Sequence, residues 1–152
     1  MIRGFFDPAE PDRQLARVRV RVGIVRVPNS PEIIWGEVPF VIDTGSETTC
    51  LHPDEGMVRL GIAPDVLRSP VGWNAQSERV GIGGSATYFL VNCLYVFRQE
   101  DGTSLEHEGI LEVAQLTDLN QRVPSVLGWD VLQHFAMRFD WSQPRGACLT
   151  PC

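Results

Sequence analysis

The sequence predicts an all-β domain that closes into a barrel and carries one or two short helices. Residues 17–25 alternate between arginine or glycine and aliphatic side chains, and short runs of β-branched and aromatic residues recur along the chain. Glycine and proline turns separate these runs, and few segments have helical periodicity. The chain has 152 residues, a typical length for one compact domain, and residues 1–152 are therefore predicted to form a single domain.

The first half of the chain begins with residues rich in Pro, Asp and Glu, so residues 1–14 are predicted to form a loose arm. The alternating run at 17–25 then predicts a strand with valines buried and arginines in water. The pattern after it predicts, in order, a turn at 28–31, strands at 33–35 and 38–42, and a short helix at 55–60.

In the second half, two strand-forming segments flank a glycine cluster, which is the pattern of a hairpin with a flexible tip. These strands are predicted at 78–80 and 87–91. The remaining predicted elements are strands at 93–97 and 109–116, a brief helix that begins at 129 or 130 and ends at 135, and a strand at 137–139.

Charge and composition exclude several classes of partner. Nineteen acidic and thirteen basic residues leave a formal charge of −6, so no nucleic-acid partner is expected. Every basic side chain is arginine, which excludes Schiff-base and Walker-lysine chemistry. No apolar run approaches the roughly 18 residues of a membrane span, and the N-terminus lacks a secretory segment. A cytoplasmic protein without a membrane partner is therefore expected.

The cysteines of the chain are Cys50, Cys93, Cys148 and Cys152, and reduced thiols are expected in this compartment. No Cys-x-x-Cys pair is present, and Cys50 with His52 is only an isolated potential ligand pair. The sequence therefore predicts neither a metal site nor a cofactor.

A hydrophobic strand leads directly into Asp43, which is followed by Thr44, Gly45 and Ser46. A carboxylate that emerges from a buried strand needs hydrogen-bond donors, and neighbouring hydroxyls and glycine amides supply them. The segment is typical of a catalytic carboxylate, but an ordinary Asx turn at the end of a strand has the same pattern.

A glycine-rich segment contains Gly81, Ile82, Gly83 and Gly84. It formally satisfies a nucleotide-binding glycine pattern, but that pattern requires a helix to follow, and residues 87–91 are strand-forming. A glycine-rich hairpin tip with one apolar side chain indicates a mobile flap that closes over a ligand. An ordinary hairpin loop is the alternative.

A third segment contains Val126, Leu127, Gly128 and Asp130. Here an apolar strand ends in a glycine, and a short helix begins with an acidic residue near its positive N-terminus. Taken alone, this is a generic turn between a strand and a helix.

In this order, the three segments resemble the retropepsin family of viral and retroviral-like aspartic proteases. Asp43 to Ser46 resembles the catalytic Asp-Thr/Ser-Gly-Ala/Ser, and the glycine-rich segment resembles the flap tip. The stretch from Val126 to Asp130 resembles the Ile-Leu-Gly-Arg-Asp/Asn that supports the active-site loop. The similarity spans roughly residues 17–139 and implies an acid-protease fold with one lobe per chain.

The resemblance implies that Asp43 is the catalytic aspartate which each chain contributes to a homodimeric site. Asp-Thr-Gly occurs once in the sequence, so the second carboxylate of the pair would come from a second chain. The resemblance also implies that Thr44 locks the two loops together across the axis. Gly45 would take the substrate backbone, and the Ser46 hydroxyl would steady the carboxylate.

Two features depart from the viral pattern. Extra residues lie between 51 and 72 and again between 98 and 108, as in cellular and bacterial relatives. Trp129 stands where the viral family usually has an arginine, and that arginine pairs with an acid matched here by Glu47. Tryptophan cannot form this ion pair, so the dimer contact near the site is expected to be rebuilt or weakened.

The implied activity is that of an aspartic endopeptidase that cleaves an extended peptide or protein segment under the flap. The small apolar residues Cys50, Ile82 and Val126 suggest apolar substrate pockets. A retropepsin-like dimerisation or peptide-binding module with weak or no catalysis is the alternative, because a fold does not establish an activity.

Overall fold

The computed structural model describes residues 1–7, 15–30, 32–81 and 84–152, which are mostly β-structure. The strands are β1 (Ile2–Arg3), β2 (Phe5–Phe6), β3 (Ala16–Ile24), β4 (Ile34–Ile42), β5 (Cys50–Leu51), β6 (Gln76–Gly81), β7 (Gly84–Arg98), β8 (Ser104–Ala114), β9 (Val126–Leu127), β10 (Phe135–Arg138) and β11 (Cys148–Pro151). The helices in these ranges are α1 (Pro53–Leu60), α2 (Pro64–Arg68) and α3 (Trp129–Leu132). The all-β class is confirmed, with three short helices in the described ranges rather than one or two.

Strand β3 has the two faces that its alternation predicts except at Arg17, which was predicted to lie in water and is 8% exposed. Val18, Val20 and Val22 are fully buried, whereas Arg19 and Arg21 are exposed. From Arg17 to Ile24, β3 pairs with β4 in antiparallel register.

Strand β4 is continuous, and the prediction of two separate strands at 33–35 and 38–42 is wrong. Gly36 lies inside β4, where an added Cβ would overlap the main-chain carbonyl of Arg59 in α1. The glycine therefore allows the helix to approach the strand closely and does not interrupt the strand.

The strand pairings of the larger sheet form a closed ring. Its order is β3, β4, β9, β5, β8 and β7, and β7 pairs again with β3. Fully buried side chains fill the interior, among them Val20, Phe40, Phe89 and Leu111. Strand β4 and the short parallel strand β9 lie side by side in this ring, so the loops at their C-terminal ends are neighbours.

Strand β7 is 15 residues long and joins the predicted strands at 87–91 and 93–97. Its antiparallel ladder with β8 runs from Tyr88↔Ala114 to Arg98↔Ser104. The extra residues between 98 and 108 therefore form the end of a hairpin. No glycine or proline interrupts β7 after Gly84, which explains why the two predicted segments are one strand.

Proline marks the beginning of both longer helices. Helix α1 was predicted from residue 55 and begins at Pro53, whereas α2, which begins at Pro64, was not predicted. Proline suits the first turn of a helix because that position has no intrahelical partner for an N–H group. No helix in the described ranges is long and apolar enough to cross a membrane.

The first seven residues differ from the predicted loose arm. Strand β1 pairs with β11, and β2 pairs with β3. Together β1, β11 and β10 form a three-stranded sheet, in which Ile2 is almost completely buried. Residues 8–14 of the predicted arm, and Pro31 of the predicted turn, lie outside the described residues.

Candidate active site

The Asp43 loop leaves the C-terminal end of β4 and is held by β9. The Val41 amide donates to the Ser125 carbonyl at 2.9 Å, and the Asp43 amide donates to the Leu127 carbonyl at 3.1 Å. These bonds continue the parallel pairing of β4 with β9 to the first residue of the loop. The main chain of Asp43 is thus fixed to the wall of the barrel.

The Asp43 carboxylate accepts a hydrogen bond within its own loop. The Gly45 amide donates to Asp43 Oδ1 at 2.9 Å, and the Ser46 amide donates to the Asp43 carbonyl at 3.2 Å. The Ser46 hydroxyl donates to the Thr48 carbonyl at 2.7 Å. The resemblance implied that the Ser46 hydroxyl steadies the Asp43 carboxylate. In this single chain the Gly45 amide binds that carboxylate instead.

Asp130 connects the loop to α3. Its carboxylate accepts hydrogen bonds from the Thr49 hydroxyl at 2.8 Å and from the Thr49 amide at 3.1 Å. The Thr49 hydroxyl in turn accepts from the Gly128 amide at 3.0 Å. Thr49 and Gly128 are buried, so each bond replaces one that water would otherwise supply.

The first amides of α3 bind the loop itself. The Trp129 amide donates to the Ser46 carbonyl at 2.8 Å, and the Asp130 amide donates to the Glu47 carbonyl at 3.0 Å. A side chain at Gly128 would overlap the main chain of Thr48. The segment predicted to support the loop thus contacts it directly, and glycine is required at its centre.

The outer side of the loop is exposed. Thr44 and Gly45 are exposed, and with Ser46, Glu47 and Trp129 they line an open depression of about 350 Å³. The indole of Trp129 is half exposed although tryptophan is a largely apolar side chain. An exposed surface that combines the Trp129 indole with polar groups and the Glu47 carboxylate therefore lies immediately beside Asp43.

The predicted flap hairpin consists of β6 and β7. Its ladder ends at the pair Gly81↔Gly84, and Gly84 has a φ of 108°, a conformation that favours glycine. Ile82 and Gly83, the predicted tip, lie outside the described residues. Because the ladder between β7 and β8 begins at Tyr88, the hairpin extends beyond the barrel ring.

A buried acid that the sequence analysis did not single out lies near the base of this hairpin. Glu112 in β8 is 6% exposed. Its Oε1 accepts from Arg79 Nη2 in β6 at 2.6 Å, and its Oε2 accepts from the Thr48 hydroxyl at 3.0 Å. The Cys50 thiol also lies 3.6 Å from Oε2. This hydrogen-bonded group connects the β6–β7 hairpin, the barrel wall and the loop after Asp43.

Charge and burial in this group shift two pKa values. The hydrogen bond to Glu112 raises the pKa of Arg79. Burial raises the pKa of the Cys50 thiol to about 12. Cys50 is consequently a neutral thiol, but this residue, which suggested an apolar substrate pocket, lies beside the ion pair of Glu112 and Arg79. The local sequence contains no signal for it, because an acid between Leu111 and Val113 has the pattern of a solvated strand face.

Ser125, the residue before β9, is hydrogen-bonded to residues at the start of α1. It is fully buried, accepts from the His52 amide at 2.8 Å and donates to Glu55 Oε2 at 3.2 Å. Burial raises the pKa of Glu55. Burial also lowers the pKa of His52, and a hydrogen bond to the backbone of Pro124 opposes this only in part.

Comparison with models of known protein families and with curated proteins finds no match for this chain. Its function is therefore inferred from the residues of the site.

Proposed function

We propose that this protein is an aspartic endopeptidase of the retropepsin type, in which Asp43 of two identical chains forms the catalytic pair. One observation carries the proposal. The Asp43 main chain is fixed to the barrel wall through Leu127, while the adjoining Thr44 and Gly45 are exposed beside Trp129. A carboxylate whose main chain is fixed and which lies at the edge of an exposed surface is what a shared site between two chains requires.

The need for a second chain follows from the chemistry. Aspartic proteolysis uses two carboxylates, and the sequence has one Asp-Thr-Gly. A twofold axis beside Thr44 would bring Asp43 close to the Asp43 of a second copy. Two carboxylates this close cannot both ionise, so the pair would share one proton and titrate as a unit.

Because the two aspartates share one proton, they have different catalytic roles. The ionised carboxylate removes a proton from a bound water, and the protonated one donates a hydrogen bond to the scissile carbonyl. Water adds to the carbonyl, and the tetrahedral intermediate collapses with proton transfer to the leaving amine. Because one carboxyl must stay protonated, activity is expected to be strongest in acidic to mildly acidic buffer.

The substrate proposed for this site is an extended peptide that lies between the Asp43 loop and the β6–β7 hairpin. The hairpin extends beyond the barrel, and among the described residues β6 is an edge strand with no strand paired to its outer side. An extended peptide can pair with such an edge as an additional strand.

Cleavage of a mixture of denatured proteins by the purified protein tests the proposal. The comparison is between the wild type, Asp43→Asn and the control Asp118→Asn, which makes the same change in an exposed turn. We expect the control to retain activity, and Asp43→Asn to lose about a hundredfold or more because an amide cannot act as a general base. Equal cleavage by both variants would exclude Asp43 as the catalytic residue. A wild type that binds peptides without cleaving them would favour the peptide-binding module.

A further inference from the structure

The two partners of the ion pair between Arg79 and Glu112 differ in how fully they are hydrogen-bonded. Glu112 is buried, and its oxygens accept hydrogen bonds from Arg79, Thr48 and the Cys50 thiol. The carboxylate therefore has little remaining capacity to bind a further donor.

Arg79, in contrast, has N–H donors that no acceptor among the described residues binds. A guanidinium carries five N–H groups, and in the described part of the chain Glu112 is the one acceptor that Arg79 binds. The Arg79 side chain is 42% exposed, against 8% for that of Glu112. A group that approaches from solvent consequently meets the guanidinium first and finds hydrogen-bond donors.

The position of this pair relative to Asp43 follows from the strand register. Glu112 is opposite Cys50, Cys50 is opposite Val126, and Val126 is opposite Val41. Leu111 and Val113, which flank Glu112, face the core, so this row of side chains points away from the barrel interior, although Val41, Cys50 and Glu112 are themselves buried. Val41 is two residues before Asp43.

The distance along this row suits a single peptide. Three strand spacings separate β8 from β4, which amounts to about 14 Å. An extended peptide covers this span with about four residues, because each residue advances about 3.3 Å. A peptide held at Asp43 can therefore place one of its side chains at Arg79.

We propose that Arg79, oriented by Glu112, forms a subsite for an aspartate or glutamate side chain of the bound peptide. This inference depends on the proposed function, since it names a substrate preference of the same site. A carboxylate matches the planar fork of a guanidinium and forms charge-assisted hydrogen bonds with it. An amide or a hydroxyl would form weaker bonds, and a cationic side chain would be repelled.

Mapping of cleavage sites by mass spectrometry tests the subsite. A mixture of peptides from denatured proteins is digested with wild type, Arg79→Gln and the control Arg98→Gln, which makes the same change in an exposed arginine of β7. We expect Asp or Glu to be enriched at one position within about four residues of the cleaved bond. Wild type and Arg98→Gln should show this enrichment, and Arg79→Gln should not.

A synthetic pair of peptides then measures the size of the effect. In a cleaved peptide the enriched acid is changed from Glu to Gln, and kcat/KM is compared. We expect the change to lower kcat/KM about tenfold for wild type and for Arg98→Gln, because it removes a charge-assisted pair. For Arg79→Gln the two peptides should differ less than about twofold.

A second variant controls for misfolding, because Arg79→Gln leaves the buried Glu112 without its ion-pair partner and can destabilise the fold. The double variant Arg79→Gln/Glu112→Gln removes both charges and should lose the preference in the same way.

Cleavage without an acidic preference, or with a preference that survives in both variants, would overturn the subsite and leave the proposed function intact. Acid-selective binding without cleavage would support the subsite and overturn the proposed catalysis. A wild type that neither cleaves nor binds peptides would overturn both.

Discussion

At the scale of single residues, main-chain bonds and one buried threonine determine the geometry at Asp43. The Asp43 amide is bound to Leu127, its carboxylate accepts from the Gly45 amide, and Thr49 connects Gly128 to Asp130. None of these contacts depends on the length of a flexible side chain. The carboxylate is therefore held in place before any ligand or second chain arrives, which is the preorganisation that the proposed catalysis would require.

His52 connects this region to the pH dependence of stability. Burial lowers the pKa of His52 below its usual 6.5. As the pH falls through 6.5, the unfolded chain binds a proton at this residue that the folded chain does not, so the free energy of unfolding decreases toward the folded pKa. Above this window the contribution of His52 to stability is fully present.

We therefore expect acidification from pH 8 to pH 5 to destabilise the wild type more than His52→Gln. The measurement is urea unfolding of both proteins at several pH values. The difference in unfolding free energy should be constant near pH 8 and should shrink below about pH 6.5. Comparing the two proteins at each pH removes the opposite effect of Glu55, whose raised pKa makes folding more favourable in acid. A difference that does not vary with pH would contradict the assignment to His52.

At the scale of elements, the site is a junction of two neighbouring strand ends and one helix. Strands β4 and β9 run parallel in the barrel ring, and α3 begins immediately after β9. The first amides of α3 bind Ser46 and Glu47, so the helix is placed against the loop. This close approach is possible because Gly128 has no side chain.

Gly128→Ala is expected to destabilise the protein by about 1–3 kcal/mol, because the new methyl group would overlap the Thr48 main chain. The matched control is Gly56→Ala in α1, where an added Cβ would have its nearest contact at 3.6 Å, from Leu67. That change should be neutral or stabilising by up to about 1 kcal/mol, since alanine favours a helix over glycine. Unfolding in urea measures both variants. Equal effects of the two changes would mean that the approach of α3 to the loop is not tight.

Elements with a local pattern could be predicted from the sequence, and elements that depend on distant partners could not. The valines of β3 alternate with arginines, so its burial is evident from the sequence. Strand β1 has two residues and exists because Ile2 pairs with Leu149, at the other end of the chain. No periodicity can indicate such a strand.

The same distinction applies to the site. Asp43 and the segment that contacts it were found because each has a recognisable order of residue types. The partner of Glu112, Arg79, is 33 residues away in the sequence, and nothing local separates this pair from ordinary solvated charges. Glu112 is buried because Thr48 and Arg79, which are distant from it in the sequence, pack against it in the folded chain.

For the molecule as a whole, we propose that one chain holds half of an active site. The exposed surface formed by Thr44, Gly45 and Trp129 would be covered by the same surface of a second copy. Trp129 would then contribute apolar contact where the viral enzymes that the sequence resembles use an ion pair. Dimer formation by mass action would make specific activity fall on dilution below the dimer dissociation constant.

The most direct test mixes wild type with Asp43→Asn in equal amounts and measures proteolysis after the subunits have exchanged. Random pairing leaves about one quarter of the dimers with two native aspartates, so activity per wild-type chain should fall to about half that of wild type alone. Mixing with Asp118→Asn, which keeps Asp43, should cause no such loss. If activity per wild-type chain stays unchanged with Asp43→Asn after exchange has been demonstrated, each chain works alone and the shared site is wrong.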